Sequence, residues 1–545
     1  MRTSISRQEW RRVIIYALVL MILTSLPYLI GWLTTPDGRT FTGFVLGIDD
    51  GNSYIGKMRL GARGLWQFHL FYSPEAPQSA PLIFLPYIIP GQLAGLFSSA
   101  ESESLYSTLV IIFHIMRVVF GFVMTLVIYR FIAIFLRGPK TRFFALILAT
   151  LGGGLGWLLL VLGQDNFLGS APPEFFIPEG FTFLILLTLP HVALARAAWL
   201  GGLIALFEAE TRDDWRRYAV IAGVLWLIVG LAVPFYLVIL YIVLGAWGLA
   251  LWTRARKFPM QFAIRGISAT LITLPLAIYY AITFSSNDAF AQWSAQNLLP
   301  SPHPIHYLLA YGLFALLAIP GGRWAWRRGN LVSSHHTLLV GWVLIVPILV
   351  YLPINVQRRM AEGVLVPLAI LAAAGARLLA VQWSKPNRRT QWRRIRVITF
   401  AIVLPSSLLI LAGSTLTTLT AKPPLFRPTA EVRAFAWLNQ HAQPGEVVLS
   451  TKETGNVIPA WTNLRVYVGH GPETLFSDQR EPQADRFFAG ELSAEEREAM
   501  LNESGVDYIF YGPAERALSD ANLALLNDYD LIYNQGDYQI YTVRP

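Results

Sequence analysis

Residues 47–52 read Gly47-Ile48-Asp49-Asp50-Gly51-Asn52, a short way beyond the apolar run Val13 to Trp32. A run of that length crosses the roughly 30 Å hydrocarbon core of a bilayer. The acidic pair is therefore expected in the first polar loop outside a membrane, residues 34–105. Adjacent carboxylates followed by Lys57, Arg59 and Arg63 suit the deprotonation of a hydroxyl beside an anionic lipid head group. Asp-Asp-Gly-Asn is also a good turn sequence, and the residues alone leave both readings open.

The rest of the chain supports the membrane setting. It has 545 residues, 54% apolar and 14% charged, with a mean hydropathy of +0.47, the balance of a polytopic membrane protein. The net charge of +9 would suggest nucleic acid in a soluble protein. Here the Lys and Arg residues sit in short clusters between apolar runs, where membrane orientation accounts for them, so nucleic-acid binding is excluded. The absence of cysteine excludes disulfides and thiolate metal sites. No small-residue cleavage site follows the first apolar run before Thr34-Thr35-Pro36, so an uncleaved first span is expected.

About eleven spans are expected, near 13–33, 106–136, 142–163, 183–207, 218–231, 234–252, 262–284, 306–320, 337–354, 362–381 and 397–418. With this count the basic clusters at Arg137 to Arg142, Arg212 to Arg217, Arg254 to Lys257, Arg323 to Arg328 and Lys385 to Arg396 share the N-terminal, cytoplasmic side. The loops 164–180 and 285–305, without Lys or Arg, lie outside. Ala80 to Phe97 is apolar but broken by Pro81, Pro86 and Pro90, and counting it as a span would invert every later loop. It reads as a juxtamembrane element. Residues 52–66 place Ile55, Met58, Ala62 and Leu65 at helical spacing, with Gly56, Gly61 and Gly64 weakening the helix.

From Lys422 the composition becomes that of a soluble domain. The expected division is a transmembrane domain, 1–421, and a small extracytoplasmic α/β domain, 422–545, with helices at Thr429 to His441 and Ser493 to Glu503. Strands are expected at Glu446 to Ser450, Arg465 to Gly469 and Val506 to Tyr511, and a hairpin around Asn534 to Asp537.

Arg358 and Arg359 stand in a short outer loop, against the positive-inside pattern, and paired arginines suit a phosphate. Interfacial snorkelling to ordinary lipid phosphates is the alternative. Arg117 and His191, within spans, are expected to line a polar cavity. Together with Lys57 these four residues are the candidates for binding a donor phosphate. His114 is equally a packed helix residue. No cofactor is certain; the divalent metal to consider is Mg or Mn, with Asp50, Asp165 and Glu174 as candidate ligands.

A span, then Asp49-Asp50 in the first outer loop, then a proline-rich juxtamembrane stretch Ala80 to Pro86, then Arg117 early in the second span, resembles the GT-C superfamily of polyprenyl-phosphate-sugar-dependent glycosyltransferases. Protein O-mannosyltransferases and aminoarabinose transferases belong to it. The likeness covers the order of elements over about the first 420 residues. It implies an α-helical polytopic membrane fold and inverting transfer of a sugar from a polyprenyl-phosphate donor to a hydroxyl of a glycan, lipid or protein acceptor. Asp49 or Asp50 is the implied base, and a multi-pass plasma membrane protein of a prokaryotic envelope is the implied setting. A transporter, or an O-antigen ligase or polymerase, is the alternative. The late outer loop Asn355 to Met360 is short for a ligase, and no repeated halves are visible.

Overall fold

The computed structural model describes residues 4–75, 80–328, 335–382, 388–518 and 526–543. Lys385, at the head of one basic run, lies outside them. The chain is an α-helical membrane protein with a small mixed sheet. Among the described residues seven helices are long and apolar enough to span: Arg7–Leu33, Leu105–Phe135, Pro190–Thr211, Trp215–Ala232, Tyr236–Ala255, Pro304–Arg328 and Leu365–Gln382. Two bent pairs, Met260–Thr270 with Leu274–Ser286 (56°) and Arg388–Val403 with Pro405–Thr418 (40°), raise the number to nine if each is one span.

The expected eleven is not reached by this measure, for local reasons. In the run 142–163 the helix Pro139–Leu151 stops at Gly152, whose backbone is extended, and only the short helix Gly156–Val161 follows. A Cβ at Gly152 would lie 2.2 Å from the Leu148 carbonyl oxygen. The run 337–354 yields a helix of 14 residues, His336–Leu349, about 21 Å long. The run 183–207 is divided at Leu189, because Pro190 opens the next helix at the position where its missing N–H costs nothing.

The chain forms two compact units. The first comprises 1–26, 116–280 and 298–413. Its helices Pro304–Arg328 and Leu365–Gln382 approach through Gly321 and Gly375, where a Cβ would meet the Leu371 and Leu317 carbonyls at 1.9 and 1.8 Å. Trp199, Trp226, Trp247 and Trp342 fill its interior.

The second unit comprises 27–115, 281–297 and 414–545, so the segment from Lys422 shares a core with the first outer loop. The stretch expected as a weak helix is Ile48–Ala62, paired with Leu85–Gly95. Its glycine explains itself here: a Cβ at Gly61 would sit 2.1 Å from the Ile88 carbonyl, and one at Gly91 would sit 1.9 Å from that of Met58. The helical cost of glycine, about 1 kcal/mol, is offset by backbone contact with the neighbouring helix. Phe44, Ile55, Met58, Tyr87, Phe113 and Ala460 close this core.

Strand β1 (Arg39–Phe41) pairs antiparallel with β2 (Phe426–Pro428). Strands β3 (Val447–Leu449), β4 (Arg465–Val466), β5 (Val506–Tyr511), β6 (Asp530–Gln535) and β7 (Tyr538–Thr542) form a sheet in the order β4-β3-β5-β7-β6. β3 is parallel to β4 and β5, while β7 is antiparallel to β5 and β6. The expected helix after Ser493 is present and opens with a capping box, and the hairpin around Asn534 to Asp537 is present too. Helices Lys452–Trp461, Ser477–Ala489 and Asp288–Gln296 were not anticipated.

Candidate functional site

In the second unit, Asp49 and Asp50 lie in the first turn of helix Ile48–Ala62, behind Gly47 in the left-handed conformation (φ 60°). The acidic pair is thus neither a free loop nor a simple turn. Carboxylates there face the positive end of the helix dipole. Both are exposed.

The segment after β4 closes on them. His470 Nε2 is 3.4 Å from Asp50 Oδ1 and its ring stacks on Tyr72. Burial opposes the imidazolium, but the hydrogen bond to Asp50 and the charges of Glu473 and Asp50 outweigh it and raise the His470 pKa above its ordinary 6.5. A pKa raised on folding stabilises the fold fully below about pH 6.5, and this contribution is lost as pH rises through the folded value. His470→Asn should therefore destabilise by of order 1 kcal/mol at pH 5.5, discounted because Asp50 is exposed, and by less at pH 8.5. Thermal unfolding at the two pH values tests this; a gap that widens with pH contradicts it.

Two helical turns on, Lys57 is 1% exposed. Its ammonium donates to Ser53 Oγ (2.6 Å) and pairs with Glu473 Oε1 (2.7 Å), with Phe84 beneath it at 4.2 Å. Ser53 Oγ also donates to Glu473 (2.8 Å). Asn52 Nδ2 donates to Asn456 Oδ1 (2.7 Å), and Asn456 in turn takes Tyr72 and reaches the Asp49 carbonyl. The base of the acidic pair is thus held by His470, Glu473 and Asn456, none of which was singled out from sequence. The signal available was weak: a single His470-Gly-Pro-Glu473 in an otherwise ordinary soluble segment.

In the first unit, Arg358 lies over the Phe176 ring at 5.1 Å, and Arg359 is 3.5 Å from Glu179 and 37% exposed. Gln357 is engaged by Ser301 N and the Leu352 carbonyl, which folds the loop. Arg196 forms a two-pronged pair with Glu362 (2.7 and 2.8 Å) and donates to the Glu179 carbonyl. Arg117 is buried and donates to Thr24, Ser25 and the Leu186 carbonyl. His191 is half-buried at the start of Pro190–Thr211. His114, in the second unit, bonds the Gly43 carbonyl and packs on Tyr28.

The proposed metal ligands do not assemble. Glu174 is buried, and its Oε1 accepts from Gly154 N (3.1 Å), Gly156 N (2.7 Å) and Ser406, capping the break in the run 142–163. Burial raises its pKa, which disfavours the carboxylate a cation needs. Asp165 is exposed, and Asp50 belongs to the other unit. Among the described residues no three His, Cys, Asp or Glu come together as a metal group. Glu174, engaged in this way, does not fit a cation.

No protein-family model matches the sequence, and no curated protein matches it. Solved structures do. The oligosaccharyltransferase of Archaeoglobus fulgidus tethered to an acceptor peptide aligns with a TM-score of 0.55 at 14% identity, over 96% of this chain and 74% of that one. The same enzyme with an inhibitory peptide and a dolichol-phosphate aligns at 0.52 and 13%, over 94% and 72%. The chain shares the fold of this oligosaccharyltransferase. ArnT from Cupriavidus metallidurans aligns over 96% of this chain and 97% of its own at 12% identity, with a TM-score of 0.47. The alignment to the oligosaccharyltransferase runs over nearly the whole chain.

Proposed function

We propose that this GT-C chain is a membrane glycosyltransferase that moves a sugar from a polyprenyl-phosphate donor to a hydroxyl acceptor, with inversion and with Asp49 as general base. The observation that carries the reading is the asymmetry of the acidic pair. Both are exposed, but Asp50 has a lone pair committed to the His470 N–H, whereas the Asp49 carboxylate has no hydrogen-bonded or ion-paired partner among the described residues. The free carboxylate takes the proton of the acceptor hydroxyl, and its neighbour, held by His470, orients the turn. The phosphate departs without a strong acid once its charge is met. No step is routed through a metal. The fold shared with an enzyme solved with dolichol-phosphate and an acceptor peptide supports a lipid-linked donor.

In the first unit, Arg358 is proposed to meet the donor phosphate, with Arg359 beside it, since Arg359 is already shared with Glu179. His191 and Arg117 stand in the same unit; Arg117 is better read as a helix tie. Lys57, matched by Glu473, is proposed to hold its helix rather than to touch the donor. Arg358→Gln should raise donor KM by about tenfold or more, because charge-assisted bonds are worth roughly 1.5–3 kcal/mol. Arg358→Lys should lie between, having lost the planar fork. An unchanged donor KM in both variants would remove Arg358 from this role. The overall reading is tested by incubating the purified protein with radiolabelled polyprenyl-phosphate sugars; retention of all label on the lipid with every acceptor class tried would reject it.

The proposed orientation places the N-terminus in the cytoplasm and both 34–105 and 422–545 outside the cell. Ser99 and Gln479 are exposed, and the chain has no cysteine, so Ser99→Cys and Gln479→Cys give clean probes. Both should react with an impermeant thiol reagent in intact cells. Reaction only after lysis at either position would reject the map.

A further inference from the structure

At the far end of helix Ile48–Ala62, about 13 Å along the axis from Asp50, lies a cavity of about 350 Å³ within the second unit. Its charged or titratable lining is Arg59, Arg63, His69 and Arg465, with no carboxylate. Arg59 is 2% exposed, yet among the described residues it donates only to neutral groups, Asn463 Oδ1 (3.0 Å) and the Ala100 carbonyl (2.8 Å). Arg465 likewise donates only to the Gly445 and Pro74 carbonyls. The Arg63 side chain has no hydrogen-bonded or ion-paired partner among the described residues, and none of the three arginines forms an ion pair there.

Gathering three guanidinium groups around one partly buried cavity is unfavourable unless a counter-charge completes it. The pKa values register the strain. That of Arg59 is pushed down to about 9, by burial first and then by Arg63, with Glu101 opposing. Those of Arg63, His69 and Arg465 are also lowered, chiefly by burial. The more distant carboxylates Glu75 and Asp507 act on Arg465 in the opposite sense. Both have other work: Glu75 is paired with Arg480, and Asp507 accepts from Val447 N.

We propose that this cavity is a second anion site that binds a phosphate or diphosphate group, with Arg63 and Arg465 as its principal donors and Arg59 as its buried floor. The chemistry favours phosphorus over a single carboxylate. Planar guanidinium forks pair with phosphate oxygens two at a time, and a multiply charged anion better matches three cations. The group arrives either on a soluble molecule or as the head group of an anionic lipid, and both present the same oxygens. The site lies apart from Asp49 and Asp50 and does not depend on the sugar-transfer reading.

The test uses the full-length protein and reads binding, not transfer. In lipid-free detergent, inorganic diphosphate is titrated against thermal unfolding, with chloride at matched ionic strength as the control. In parallel, nanodiscs of mixed phosphatidylglycerol and phosphatidylcholine are analysed by native mass spectrometry for retained phosphatidylglycerol. Arg63→Gln and Arg465→Gln are the variants, with Arg59→Lys added because removing a buried charge risks the fold. Saturable stabilisation by diphosphate that weakens at least about tenfold in Arg63→Gln supports the site and a soluble source. Selective phosphatidylglycerol retention that is lost in Arg63→Gln and Arg465→Gln supports the site and a lipid source. Absence of both effects in the wild type, or effects of equal size in folded variants, overturns the proposal.

Discussion

Asp49→Asn is expected to lower transfer by about 10²–10⁴-fold while leaving the melting temperature nearly unchanged. The swap keeps the shape of an exposed side chain in the first turn of a helix and removes only its basicity and charge. Loss of the favourable dipole interaction costs no more than about 1 kcal/mol. Asp50→Asn should behave differently. Its amide still reaches His470, but the charge that raises the imidazole pKa is gone, so it should lose part of its activity and part of its stability at low pH. Turnover is measured with a lipid-phosphate sugar donor, alongside thermal unfolding. Near-native turnover in Asp49→Asn with full loss in Asp50→Asn would exchange the two roles. Near-native turnover in both would reduce the pair to a helix start.

Glu473→Ala is expected to destabilise the protein by about 3–5 kcal/mol, because it leaves the Lys57 ammonium buried without a counter-charge. Ser53 would lose its acceptor in the same step. The pair itself is not inherently stabilising, since two charges must be taken out of water to form it. Lys57→Met combined with Glu473→Leu should therefore recover most of the loss. The double variant also separates structure from chemistry. If Lys57 only holds its helix, a folded Lys57→Met/Glu473→Leu protein retains substantial transfer. Loss of transfer with a restored melting temperature would return Lys57 to the donor site. Failure of the double variant to recover stability would show that the polar pair itself is required for this packing.

Much of the architecture follows from the chain order alone. The apolar runs, the soluble composition after Lys422, the Ser493 capping box and the Asn534 to Asp537 turn are local patterns, and local patterns survive in one dimension. The helix at Ile48–Ala62 was visible through Ile55 and Met58, although its glycines argued against it. Gly61 became intelligible only with Ile88 opposite, since the reason for a missing side chain is the backbone that occupies its place. Two of the eleven apolar runs give no long helix among the described residues, because hydropathy does not register the extended backbone at Gly152 or the short helix His336–Leu349. For the site, sequence alone singled out Asp49 and Asp50, because adjacent carboxylates beyond a span are a short-range signal. It could not supply His470, Glu473 or Asn456, some 400 residues away, nor the fact that Lys57 already has a partner. Hydrogen bonds and ion pairs act over a few ångströms whatever the separation along the chain, so only the tertiary structure decided which charges are matched and which, at Arg59, Arg63 and Arg465, have no ion-pair partner among the described residues.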